Sequence, residues 1–250
     1  MNNNVRVRKA GVILIILSLL NLIGCSAIDK DTATQITTAL QEKYVEEFKC
    51  DSIGNRFGTA TNDTVTGYCY PSNEPEVLFT AVMDKDGNLV EDTYIPSYVT
   101  DILEKAIIEE FQSQEIVAHV NAVLSTNDEI TDVRLNDLTL NNFLTEQSIS
   151  GFTAHIIIDE SSNVEKLGTS IHEVYSKLSE KYLQLVLGSY VRVLSNSDFS
   201  KCANEMDQNP TVSKTFFKDY DVKGEVIVGI LDGKPTKEIN EIQNELKSSD

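Results

Sequence analysis

The sequence predicts an α+β protein, with helices packed on antiparallel sheet and the chain arranged as two halves of similar size. Three observations carry this. Stretches with apolar residues at helical period interleave with stretches rich in β-branched residues. The strand-like stretches come in hairpin-like pairs around polar turns such as Asp84-Lys85-Asp86-Gly87-Asn88. No glycine-rich strand-to-helix turn of the doubly wound folds is present.

The N-terminal half is read as residues 32–124. From Thr32 to Phe48, the residues Ile36, Leu40, Tyr44 and Phe48 recur every fourth position, which predicts an amphipathic helix with Thr32 and Gln35 in a capping-box pattern. Strand signals follow at 50–57 and 65–71. Glu76–Met83 and Leu89–Tyr94 make a hairpin whose first strand is apolar on both faces, the pattern of a strand covered on both sides. Pro96 opens a helix to Gln112, with Val99, Ile102, Leu103, Ala106 and Ile107 on one face. Residues 115–124 read as a strand on their β-branched content.

The polar stretch Ser125–Asp132 is taken as the boundary, and the C-terminal half as 133–250. It begins with a short helix at 138–146 and a strand at Gly151–Asp159. A helix at 163–181 follows, with Val164, Leu167, Ile171, Val174 and Leu178 as its stripe. Leu183–Leu194 reads as a strand with a bulge at Gly188, Asp198–Met206 as a short helix, Val222–Leu231 as a strand and Pro235–Leu246 as a helix. Asp232-Gly233 is the turn between those last two elements.

The chain has 250 residues, 24 % of them charged and 41 % hydrophobic, which is ordinary globular stock. Its formal net charge is −18. The first 24 residues hold three cations and no acid, so the remainder would carry −21. Such a surface repels phosphate backbones, and no nucleic-acid partner is expected.

The N-terminus is the most informative segment. A basic stretch, Met1 to Ala10, is followed by an apolar run from Gly11 to Ile23 that is too short to span a bilayer of ~30 Å but suits a signal-peptide core. It closes with Leu22-Ile23-Gly24-Cys25. These residues resemble the lipobox of bacterial lipoproteins. The resemblance covers residues 1–25 and implies that Leu22, Ile23 and Gly24 are read by the signal peptidase. It implies further that Cys25 is lipidated and becomes the mature N-terminus, leaving 25–31 as a tether. The expected location is the extracytoplasmic face of the cell membrane, held there by the lipid, because two acyl chains suffice for stable attachment.

Outside the cytoplasm cysteines can oxidise. Cys50 and Cys69 flank a Gly-, Thr- and Asn-rich stretch that reads as two strands folded back on each other, and they are the expected disulfide. Cys202 has no evident partner and reads as core.

Each catalytic motif fails on its own spacing. His172-Glu173 has Ser176 where a zinc protease needs its second histidine. The segment from Gly229 to Pro235 is one residue short of a phosphate loop and lacks the Ser or Thr after its lysine. Asp84, Asp86 and Asn88 match the first ligands of a calcium loop, but Ile95 stands where the closing glutamate belongs, and a hairpin turn is the better reading. No metal site and no cofactor are expected. Tyr68, Tyr70 and Tyr94, with Phe79, crowd the first predicted sheet and are the candidate interaction surface. The expected function is a binding or interaction module for an envelope protein, a peptide or a small ligand. The alternatives are a hydrolase of wall polymer or peptide, requiring an acidic or histidine-based site assembled from distant positions, such as two of His119, His155 and His172 with a carboxylate in a cleft, and an immunity- or inhibitor-type lipoprotein presenting a flat apolar patch.

Overall fold

A computed structural model describes residues 31–54, 63–125, 130, 138–147, 149–160, 164–209 and 212–247. The chain is α+β and divides into two compact units, one ending at Tyr94 and the other starting at Ile95.

In the first unit, helix α1 (31–44) precedes strands β1 (Phe48–Gly54), β2 (Thr64–Pro71), β3 (Phe79–Asp84) and β4 (Leu89–Asp92). The strands form an antiparallel meander in chain order. Alternation sets the two faces: Val65, Gly67 and Cys69 point inward while Thr66, Tyr68 and Tyr70 point outward. Helix α1 buries Ile36 and Leu40. It approaches the sheet so closely at Gly67 that a Cβ there would lie 2.9 Å from Ile36 Cδ1. Tyr44, Phe48, Phe79 and Tyr94 close this core as a cluster of rings 4.9–6.0 Å apart, edge-on except for the tilted Phe79–Tyr94 pair. Asp92 ties α1 down by accepting from Tyr44 Oη at 2.7 Å and Lys43 Nζ at 2.8 Å.

Several expectations shift here. The first helix stops at 44, not at Phe48, because Val45 turns left-handed (φ 57°) and closes the helix through its N–H to Gln41 O. Phe48 therefore begins a strand. Strand β3 is covered on one face only: Phe79, Ala81 and Met83 are buried, but Thr80 and Val82 are only partly so. The turn after it is a hairpin turn with Gly87 at φ 85°, and its Asp84 carboxylate accepts from the Asp86 and Asn88 amides and from Asn88 Nδ2.

In the second unit, α2 (Tyr94–Ser113, the split falling in its first turn) leads to β5 (Ala118–Ser125), α3 (Leu140–Glu146), β6 (Gly151–Asp159) and α4 (Val164–Lys181). Then come β7 (Leu187–Leu194), α5 (Asn196–Asp207), a 3-10 turn (Lys214–Asp219), β8 (Val222–Leu231), β9 (Lys234–Pro235) and α6 (Ile239–Lys247). The sheet order is β5-β6-β7-β8-β9, antiparallel except for the β6–β7 pair, which α4 connects. One face buries Ala154, Ile156, Val191, Val226 and Val228, with α4 and α6 packed together over it. On the other face Ile157 and Leu194 meet Cys202 and Met206 of α5 and Phe217 of the 3-10 turn.

The expected boundary at 125–132 is corrected: β5 runs to Ser125 and pairs along its whole length with β6, so it belongs to the second unit. Most of 125–132 lies outside the described residues. Gly188 is not a bulge, since it pairs in register with Thr153 and Gly229, and the irregularity falls at Val193/Leu194. A glycine is required opposite it, because a Cβ on Gly229 would come 2.1 Å from Leu187 O. Strand β7 begins at Leu187, four residues later than expected. Asp232 (φ 52°) and Gly233 (φ 71°) turn β8 into β9, so Pro235 lies in a strand and the last helix starts at Ile239. No helix among the described residues is long and apolar enough to cross a membrane.

Candidate functional site

Strands β6, β7 and β8 carry His155, Arg192 and Glu225 among largely apolar residues. Pairing brings them together. His155 stands opposite Tyr190, and Arg192 opposite Glu225, on the face that α5 and the 3-10 turn partly cover. Arg192 is 1 % exposed. Its Nε lies 2.6 Å from Glu225 Oε2 and its Nη1 3.1 Å from His155 Nδ1. The Phe217 ring stacks 4.0 Å from the guanidinium carbon, and His155 stacks on Tyr190 at 5.0 Å between ring centroids. Arg192 Nη2 is buried with no hydrogen-bond partner among the described residues.

The electrostatics follow from burial. His155 is pushed down to about 4, first by desolvation and then by the adjacent guanidinium, with Glu225 opposing. Beside the cluster the sheet is uncovered: Thr153 and Gly188 are exposed, Ile227 is 49 % exposed and Val123 borders them. A side chain added at Gly188 would meet nothing within 4 Å, so the floor there is open.

The histidines converge only in part. His119 stands opposite Ile157 and is thus the diagonal neighbour of His155 on the same face. Its Nε2 lies 3.1 Å from Asp207 Oδ1. His172 sits apart on α4, where its own carbonyl accepts from Ser176 Oγ. Cys202 is fully buried in the core, and burial pushes its thiol up to about 12. Among the described residues, no three His, Cys, Asp or Glu side chains are grouped so as to hold a metal ion.

Of the residues singled out from the sequence, Cys50 and Cys69 are disulfide-bonded and face each other in the β1–β2 register, with Cα atoms 4.0 Å apart. The three tyrosines are not brought together. Tyr68, 52 % exposed, and Tyr70 share the outer face of β2, whereas Tyr94 is buried and donates to Glu46 Oε2 at 2.5 Å. Tyr94 opens α2 and turns into the aromatic core, which corrects its place on the interaction surface. Leu22, Ile23, Gly24 and Cys25 lie outside the described residues. The Arg192 cluster was not anticipated, although an arginine and a glutamate inside otherwise apolar strands are its visible signal.

The fold defines a two-sheet α+β protein. It is similar to the crystal structure of a DUF5037 family protein from Ruminococcus gnavus ATCC 29149, with a TM-score of 0.58 at 16 % identity, covering 87 % of this chain and 99 % of that chain. No family model matches the sequence, and no curated protein matches it.

Proposed function

We propose that this chain is a lipid-anchored extracytoplasmic binding module. The observation that carries the binding half is the uncovered strip of the second sheet at Thr153, Gly188 and Ile227, bordered by the Arg192 cluster. The anchoring half rests on the ordered basic stretch, apolar run and Leu22-Ile23-Gly24-Cys25. The partner is an envelope protein, a peptide or a small ligand at the membrane, and an inhibitor-type role belongs to the same reading.

The hydrolase reading has one observation in its favour, the His119–Asp207 pair beside His155. The test is fractionation of cells carrying the wild type or Cys25→Ser. The account expects the wild type in the membrane fraction, extractable by detergent, and the variant released from it or held as uncleaved precursor. Equal membrane retention of a processed Cys25→Ser chain would remove the anchor.

A further inference from the structure

Strand β5 is the terminal strand of the second sheet, with β6 on one side of it. In an antiparallel pair the N–H and C=O of one residue point the same way, and successive residues alternate. The Val117 and Ser125 carbonyls accept from the Asp159 and Ser150 amides, so the odd-numbered residues bond toward β6. Ala118, Val120, Ala122 and Leu124 therefore present their backbone groups at the outer edge. Such an edge is a template for another strand unless something blocks it. Residues 117–125 hold no acid, Lys, Arg, Pro or Gly, in a chain of net charge −18. Two copies of this stretch would meet without the like-charge repulsion of the rest of the surface, and low charge without Pro or Gly is the composition of self-pairing strands.

One contact stands in the way. Glu104 of α2 reaches the edge, and its Oε1 accepts from the Ala122 N–H at 2.5 Å, where a carbonyl of a further strand would accept. The carboxyl is held there at a cost. Desolvation raises it to about 7 even against the Ala122 bond, and Asp101 and Asp207 add like charge that Lys105 only partly offsets. An acid turned in upon an edge strand is one of the ways in which sheets avoid edge-to-edge pairing.

We propose that Glu104 is a plug on the outer edge of the second sheet, occupying the Ala122 amide and so preventing β5 of a second copy from pairing there. Any β5–β5 pairing that uses more than two of the outward residues must include Ala122, so one side chain suffices to block them all. This inference is independent of the binding-module reading.

The experiment compares the detergent-extracted full chain with Glu104→Ala and Glu104→Gln, with detergent in excess so that chains do not share micelles. Sedimentation velocity reads the oligomeric state, and hydrogen exchange reads the β5 amides. The proposal expects monomers for the wild type and for Glu104→Gln, whose side-chain oxygen still accepts from Ala122. Glu104→Ala should dimerise with a Kd at least ~10-fold lower than the wild type, the equivalent of one charge-assisted hydrogen bond. Its Val120 and Leu124 amides should gain protection as the dimer forms. Adding Leu124→Pro removes an outward donor and should return Glu104→Ala to monomer. If Glu104→Ala does not fold, exchange in the wild type decides: the Ala122 amide should exchange more slowly than that of Leu124 on the same edge. A folded, monomeric Glu104→Ala would overturn the plug. So would dimers of Glu104→Gln, Glu104→Ala dimers that Leu124→Pro leaves intact, or equal exchange at Ala122 and Leu124 in the wild type.

Discussion

Arg192 Nη1 and His155 Nδ1 lie 3.1 Å apart in the interior of the second unit. A guanidinium only donates, so His155 must accept at Nδ1 and carry its proton on Nε2. Burial and the adjacent positive charge hold the ring neutral down to about 4. A histidine held neutral in this way stabilises the fold above its ordinary value of 6.5, and that contribution is lost as pH falls toward 4. Nitrogen-15 NMR of the ring should show the Nε2–H tautomer throughout pH 5–8 (about the range in which a free histidine titrates). A titration midpoint near 6.5 would contradict the assignment.

Glu104 of α2 makes the opposite case. Its carboxylate accepts from the Ala122 amide at 2.5 Å, and desolvation raises it from 4.5 to about 7 despite that bond. The protonated form is favoured in the fold, so its contribution is full below 4.5 and lost as pH rises through 7. Glu104→Gln keeps the acceptor oxygen and removes the charge. Relative to wild type, the variant should gain on the order of 3 kcal/mol between acid and mildly alkaline pH, read by urea denaturation across that range. A constant difference between the two proteins would count against the raised value.

Val45 is 90 % exposed and left-handed, a conformation that costs a non-glycine residue roughly 1–2 kcal/mol. Val45→Gly relieves this and loses no burial, while glycine adds entropy to the unfolded chain. The net expectation is a gain of about 0.5–1 kcal/mol in denaturant unfolding.

The Cys50–Cys69 bridge joins facing positions with a sequence separation of 19 and lies in the core beneath Ile36. Replacing both cysteines by alanine should destabilise the protein by about 3 kcal/mol, chiefly by freeing the unfolded chain. Mass spectrometry without reductant checks the bridge, and denaturation checks its worth.

These sites differ in how visible they are in the sequence. Gly151–Asp159 and Val222–Leu231 are strands with the expected bounds, because each is rich in β-branched residues and lies beside turn-forming residues. The end of α1 is invisible, since the four-residue spacing continues to Phe48 and only the backbone at Val45 breaks it. Asp232-Gly233 signals a turn, but not that a two-residue strand follows before the helix. Tyr94 reads as a surface ring from its neighbours in sequence and is core because it opens a helix over aromatic side chains. For Arg192, the charge inside an apolar strand is legible, but only the register of β7 against β6 and β8 reveals its partners.

The measurement that bears most directly on the account is the mass of the N-terminal peptide of the protein isolated from membranes. The account predicts a chain beginning at Cys25 and carrying diacylglycerol on its sulfur. An unmodified Cys25 within a chain that keeps Met1 to Gly24, or a cleavage elsewhere, would contradict the anchor on which the proposed role depends.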